Sequence, residues 1–185
     1  MKIIYGGSFN PPTIAHYKIA KYLLKKFKDS EIIFMPTSSL YHKDELASNK
    51  DRLRMLEIVA EELGARASVS DFEMKQDGYY GTTYTLAHFP ESYFLLGADN
   101  LVNINKWINF PNIVIQNKFI VIPRGNIDIM AIIEKDDFMS KHKENFTILE
   151  DAPKLNVSSS EYRKTKNKKI LLTKVNQYIK ENNLY

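Results

Sequence analysis

Short, nearly all-apolar runs alternate along this chain with amphipathic stretches at helical spacing. That alternation predicts a doubly wound α/β fold, a mostly parallel sheet covered by helices on both faces. Right-handed crossovers then give a Rossmann-like topology, in which ligands sit beyond the carboxyl ends of the strands. The strand-ending residues Gly6-Gly7, Pro36, Gly97 and Arg124 all fall there. With 185 residues, 44% hydrophobic and 12% aromatic, the chain suits one domain over 1–185, with a helical segment from about 158 to 185.

The elements follow in order. Lys2 to Tyr5 reads as a buried strand that stops at Gly6-Gly7. Ile14, Tyr17, Ala20, Leu23, Leu24 and Phe27 recur at helical spacing, so a helix runs from about Thr13 to Phe27, with Pro11 and Pro12 in the turn before it. Glu31 to Pro36 is a second strand. Ser48 with Asp51 resembles a capping box, opening a helix with the apolar face Leu53, Leu56, Val59, Ala60 and Leu63. "ARASVSDF" is a weaker third strand, Tyr93 to Asn100 a fourth, Lys118 to Gly125 a fifth and Phe146 to Asp151 a sixth. Helix-like stretches lie around Thr83 to Phe89, Asn100 to Trp107 and Pro111 to Gln116. Leu171, Val175, Tyr178 and Ile179 mark a last helix.

Composition narrows the chemistry. No apolar run approaches the roughly 20 residues of a membrane helix, and the opening segment meets glycines too early to read as a signal peptide. Zero cysteines exclude disulfides, thiolate zinc sites and a cysteine nucleophile, so a cytoplasmic protein is expected. The net charge of +4 is concentrated in "RKTKNKK", Arg163 to Lys169, either a solvated helix face or a seat for an anion such as a nucleotide phosphate. No basic–aromatic ladder points to nucleic acid. No membrane partner is expected, and a homo-oligomer is allowed.

The stretch "GGSFNPPTIAH" carries the site. A strand ending in Gly-Gly lets backbone approach a ligand without a β-carbon between them. The turn then enters a helix start, where free N–H groups attract anions. Thr13 and His16 fall in that first turn and could face one phosphate. A histidine near a helix start is commonly structural, but one placed directly after a glycine turn at the mouth of a sheet suits a ligand better. The chain lacks both the P-loop pattern and the Gly-x-Gly-x-x-Gly fingerprint, which excludes P-loop NTPases and ordinary dehydrogenases.

That stretch resembles the nucleotidylyltransferase signature Gly-Gly-x-Phe-Asp-Pro-x-His/Thr-x-Gly-His. It matches at Gly6, Gly7, Phe9, Pro11, Thr13 and His16 and departs at Asn10 and Ala15. "VSSSEYR", Val157 to Arg163, resembles the second motif of that superfamily, Ile-Ser-Ser-Thr-x-x-Arg. Within the superfamily the whole chain is most similar to the bacterial nicotinate-nucleotide adenylyltransferases. "YHK" at Tyr41 to Lys43, "DRLRML", "YGTTYTL" (with Tyr84 where Asp is usual), "LLGADNL", Trp107 and "VNQYIKENNLY" each resemble a segment of theirs.

The resemblance implies a nucleotidyltransferase fold and adenylyl transfer, in which the phosphate of nicotinate mononucleotide attacks the α-phosphorus of ATP. It casts His16, Thr13 and Arg163 as catalytic. Gly6, Gly7, Ser8 and Phe9 would line the ATP, Asp99 its ribose, and Ser158, Ser159, Ser160 and Arg163 the β- and γ-phosphates. Lys43, Thr82, Thr85, Trp107 and Arg124 would bind the mononucleotide, Trp107 by stacking (or else as a core residue) and Arg124 as cation to the carboxylate. Backbone N–H groups near Thr85 and Trp107 would assist. Mg²⁺ would be held mainly through the ATP phosphates, with no protein metal ligands assigned. The alternatives are an adenylyltransferase for nicotinamide mononucleotide or phosphopantetheine, or a non-catalytic nucleotide-binding sensor.

Overall fold

The computed structural model describes residues 1–40, 46–155 and 157–185. Its strands are β1 (Lys2–Gly7), β2 (Glu31–Pro36), β3 (Ala67–Val69), β4 (Ser92–Gly97), β5 (Lys118–Ile122) and β6 (Phe146–Ile148). They form one parallel sheet in the order β3-β2-β1-β4-β5-β6. The order of connection reverses at β1, the signature of the doubly wound topology that the alternating pattern predicts. Among the described residues no helix is long and apolar enough to cross a membrane.

By internal contacts the chain divides into two compact units. The first joins Met1–Tyr5 to Tyr80–Lys154. It holds the start of β1, in register Ile3 to Tyr93 and Ile4 to Phe94 of β4, and then β5 and β6. Ile3, Ile4, Phe119, Ile120 and Val121 are fully buried. These strands read as unbroken apolar runs because a parallel sheet has no solvent face. The connecting helices are α3 (Gly81–His88), α4 (Ala98–Leu101), α5 (Asn112–Gln116), α6 (Ile129–Lys135) and α7 (Asp137–Lys141).

The second unit joins Gly6–Tyr79 to Leu155–Tyr185. It contains α1 (Ile14–Lys26), α2 (Asn49–Leu63), α8 (Ser159–Thr165) and α9 (Thr173–Glu181) with β2 and β3. Ser48 caps α2, accepting the Asp51 N–H at 3.1 Å. α9 docks on α2 through Tyr178, whose hydroxyl donates to Asp51 at 2.8 Å, and through the Lys174–Glu62 pair at 2.6 Å.

Several boundaries differ from the sequence reading. β1 continues through both glycines. The third strand shrinks to three residues, because the chain after Val69 bends into a 3-10 turn at Glu73–Lys75. The fourth strand ends at Gly97 and α4 begins at once, while the expected helix from Asn100 to Trp107 is α4 plus a separate 3-10 turn, Ile104–Lys106. The buried face of α1 is Ala15, Ile19, Ala20, Leu23 and Leu24, with Ile14, Tyr17 and Phe27 only half-buried. α6 and α7 lie where no helix is expected. They are capped by Asp128 and Asp136 but bury only Ile129, Ile133 and Met139, too few positions to display a period.

Candidate active site

In the second unit the site is built around the end of β1. The Gly7 carbonyl accepts the Thr37 N–H at 2.9 Å, and a β-carbon on Gly7 would press on the Phe9 ring at 3.2 Å. The chain's own aromatic ring folds back over the glycine and would have to give by a few tenths of an ångström to admit a β-carbon. Phe9 adopts φ 45° and is buried, with its ring edge-on to His16 at 5.0 Å and to Phe34 at 5.7 Å.

Thr13 caps α1, and the residue three positions on is His16 instead of the usual Glu or Gln of a capping box. The Thr13 N–H donates to His16 Nδ1 at 2.8 Å, with Thr13 Oγ1 2.9 Å from the same nitrogen. A backbone N–H can only donate, so Nδ1 accepts and the neutral ring carries its proton on Nε2. The cap thus fixes both the tautomer and the orientation of the imidazole. Thr13 itself is 0% exposed, so its hydroxyl serves His16 and does not face a shared phosphate as the spacing suggested.

Asn10 is the hub of this unit. It is 1% exposed, and its Oδ1 accepts from the Ala47 N–H at 3.0 Å and the Tyr185 hydroxyl at 2.5 Å. Its main-chain carbonyl accepts from Arg163 at 2.6 Å. Ser159 Oγ donates to the Pro11 carbonyl at 2.8 Å. The two motifs at opposite ends of the sequence are therefore clasped directly.

This clasp sorts the three serines. Ser159 spends its single hydroxyl proton on Pro11 and keeps only its N–H for a ligand. Ser158 accepts the Glu161 N–H and Ser160 accepts from Arg163 at 3.3 Å, so both retain a hydroxyl proton to donate. Together with His16 Nε2–H and the remaining guanidinium N–H groups of Arg163, they make a donor set suited to spread anionic charge.

Sequence reasoning missed Arg52 and Tyr185 as site residues. Arg52 is 0% exposed and donates to the carbonyls of Ser8 (3.0 Å) and Thr37 (2.9 Å) and to Asn49 Oδ1 (2.7 Å). Burial pulls its pKa below the ordinary guanidinium value. The signal was its place among the buried apolar positions of α2. Burial likewise pushes the Tyr185 phenol up, so it stays a neutral donor to Asn10.

In the first unit, Asp99 and Arg124 form an exposed pair, Nε to Oδ2 3.5 Å, with side chains 49% and 53% exposed. A β-carbon on Gly97 would stand 2.5 Å from Asp99 Oδ1, so a larger residue there would turn the Asp99 carboxylate aside. Trp107 is half-buried, edge-on to Phe94 at 6.0 Å, which leaves part of its ring open. Its N–H is already donated to the Ile104 carbonyl at 3.0 Å, so it cannot assist a ligand as expected. Thr85 is buried in the second turn of α3, whereas Thr82 sits in the first turn, where N–H groups lack helical acceptors. Gly81 has φ +78°, and a β-carbon there would lie 2.9 Å from Ile108, whose carbonyl accepts from Thr83 at 3.3 Å. That close approach fixes the segment bearing Trp107. Lys43 lies outside the described residues.

A model of the cytidylyltransferase-like family matches residues 4–165. A "probable nicotinate-nucleotide adenylyltransferase" of Acholeplasma laidlawii is 32% identical over 195 residues, covering 100% of this chain and 97% of that protein. One from Clostridium acetobutylicum is 30% identical, covering 100% and 98%. Among solved structures, Plasmodium falciparum nicotinic acid mononucleotide adenylyltransferase complexed with NaAD superposes with a TM-score of 0.79 at 26% identity, covering 100% of this chain and 96% of that one. The same enzyme complexed with APC gives 0.76 at 25% identity over the same shares.

Proposed function

The chain belongs to the cytidylyltransferase-like family, and on that premise we propose that it transfers AMP from ATP to nicotinate mononucleotide. A phosphate oxygen of the mononucleotide bonds to the α-phosphorus of ATP as the bond from that phosphorus to the α–β bridging oxygen breaks. Deamido-NAD forms and pyrophosphate leaves. The observation that carries the reading is His16, whose Nδ1 accepts the Thr13 N–H so that the ring carries its proton on Nε2.

The attacking phosphate is already anionic, so positioning and charge neutralisation carry the reaction. His16 donates to the α-phosphate, while Thr13, acting through it, is a positioning residue. Arg163, the hydroxyls of Ser158 and Ser160 and the N–H of Ser159 hold the leaving phosphates, and Gly6 to Phe9 line the nucleotide. Asp99 takes the ribose of ATP, Trp107 stacks on the pyridine, and Thr82, Lys43 and Arg124 serve the mononucleotide, with Thr85 buried in α3.

Enzymes of this kind use a divalent metal. Among the described residues no three His, Cys, Asp or Glu side chains gather into a metal site. The hydroxyl and N–H donors present fit an ion that arrives on the triphosphate, and Mg²⁺ would be held there by phosphate oxygens and water, drawing charge from the leaving group. The proposal places the reaction in the cytoplasm.

The test is pyrophosphate release from ATP and Mg²⁺ with nicotinate mononucleotide, nicotinamide mononucleotide or phosphopantetheine, the product identified by mass. Release with none of them would leave the sensor reading. Arg163→Ala should raise KM for ATP about tenfold and weaken pyrophosphate inhibition, with KM for nicotinate mononucleotide little moved. Equal loss for both substrates would make Arg163 only the strut of the Asn10 carbonyl.

Preference for nicotinate over nicotinamide should be present but shallow on the Arg124 side. An arginine this exposed, already paired with Asp99, is screened by water. Arg124→Ala should erode the ratio of kcat/KM values by roughly three- to tenfold, chiefly through poorer use of nicotinate. An unchanged ratio would remove Arg124 from recognition.

A further inference from the structure

α9 carries a short tail whose path the local sequence dictates. The helix packs on α2, with Val175 and Ile179 buried and the Tyr178 hydroxyl donated to Asp51 at 2.8 Å. It ends in "ENNLY". Asn183 takes φ 51°, the left-handed conformation that asparagine tolerates better than most residues. Its N–H donates to the Lys180 carbonyl at 3.4 Å, and the Leu184 N–H donates to the Ile179 carbonyl at 3.0 Å. That pair of bonds is a Schellman turn, which reverses the chain and carries Tyr185 back instead of onward along the helix axis.

The returned side chain reaches two elements of the site. Its ring meets Tyr162 of α8 edge-on, centroids 6.1 Å apart, and its hydroxyl donates to Asn10 Oδ1 at 2.5 Å. The Ala47 N–H donates to the same oxygen at 3.0 Å, so the amide is gripped from two sides. The main-chain carbonyl of Asn10 accepts from Arg163 at 2.6 Å. Fixing the Asn10 side chain fixes the backbone that bears it, and with it the acceptor that orients Arg163. Burial keeps the phenol protonated against the pull of Arg163 and Arg52, and only a protonated phenol donates.

We propose that Tyr185 is a positioning residue for the transfer, its hydroxyl acting through Asn10 to aim Arg163 at the phosphates of ATP. The role rests on the adenylyl-transfer reading for its substrate. Its physical basis is that a donor aimed before the ligand arrives binds better than one that must first be ordered, so the residues behind the donor count as well.

The test compares two hydroxyl deletions in the full chain. Tyr185→Phe keeps the ring against Tyr162 and loses the bond to Asn10, whereas Tyr178→Phe loses a bond that does not pass through Asn10. Well below the thermal midpoints, Tyr185→Phe should raise KM for ATP about three- to fivefold, with kcat and KM for nicotinate mononucleotide within about twofold of wild type. Tyr178→Phe should leave all three within about twofold, whatever it costs in Tm. In an Arg163→Ala background Tyr185→Phe should raise KM for ATP no further, because the residue it positions is gone. An unchanged KM for ATP in Tyr185→Phe, equal rises in the two tyrosine variants, or a full further rise in the Arg163→Ala background would overturn the role and leave adenylyl transfer standing. Should the wild type release no pyrophosphate with any mononucleotide, calorimetric affinity for ATP with Mg²⁺ replaces KM. A loss confined to Tyr185→Phe then upholds the positioning role and sinks the reaction reading, while no such loss, or no ATP binding by the wild type, sinks both.

Discussion

His16→Ala is expected to lower kcat by about two to three orders of magnitude, with KM for ATP changing only a few-fold. The donor acts where charge is redistributed in the transition state, so its loss weighs on turnover more than on ground-state binding. The structure adds why the ring is ready before substrate arrives. Nδ1 is tied to the Thr13 N–H and the Phe9 ring lies 5.0 Å away edge-on, so neither the tautomer nor the orientation needs reorganising. Thr13→Val keeps the N–H and loses only the hydroxyl, and should cost far less, roughly tenfold or under. His16→Ala also removes a cap bond worth about 1 kcal/mol, so its stability is measured alongside. A folded His16→Ala enzyme within threefold of wild-type turnover would take His16 out of the mechanism.

Much of this arrangement was legible before the structure. Gly6-Gly7, the prolines and the helical spacing after Thr13 place a strand, a turn and a helix correctly, because each signal is local: φ freedom, a missing N–H, a 3.6-residue period. Ser158 was readable as a helix cap for the same reason. What stayed hidden is what depends on partners far along the chain. The sequence offers nothing to say that Thr13 is buried beneath His16, that Ser159 spends its proton on Pro11, or that the Trp107 N–H is committed to Ile104. Gly7 shows the mixture: the glycine was recognised, but the atom that would crowd its β-carbon belongs to Phe9. Asn10, noted as a departure from the usual Asp, proves to hold Tyr185 and Ala47 through its amide oxygen and Arg163 through its carbonyl. Its neutral side chain can still accept both bonds it is asked to accept.

Arg52 is the strongest case of a partner-dependent residue, and Arg52→Met should be the most destabilising of these changes. Its guanidinium is out of water and serves three acceptors, the Ser8 and Thr37 carbonyls and Asn49 Oδ1. Methionine refills much of the aliphatic stem, so cavity formation adds little. The cost comes from acceptors left buried without a donor, each about 1–3 kcal/mol when unmet. Against this stands the desolvation of the charge, visible in the lowered pKa, which the substitution relieves. Water reaching part of the vacated site offsets some of the rest, and the balance is a loss of about 2–4 kcal/mol. For a chain of this size that corresponds to a fall in Tm of roughly 5–15 °C. Arg52→Lys should recover only a fraction, since an ammonium cannot fork across two carbonyls and an amide at once. Activity should fall with stability but for a separable reason. The Ser8 carbonyl is the point by which α2 holds the loop between Gly7 and Phe9, so even folded Arg52→Met should show a raised KM for ATP. Thermal unfolding followed by circular dichroism, with kinetics taken well below the midpoint, separates the two effects. A Tm within 2 °C of wild type would mean that water or a neighbouring donor serves these carbonyls as well as the guanidinium does.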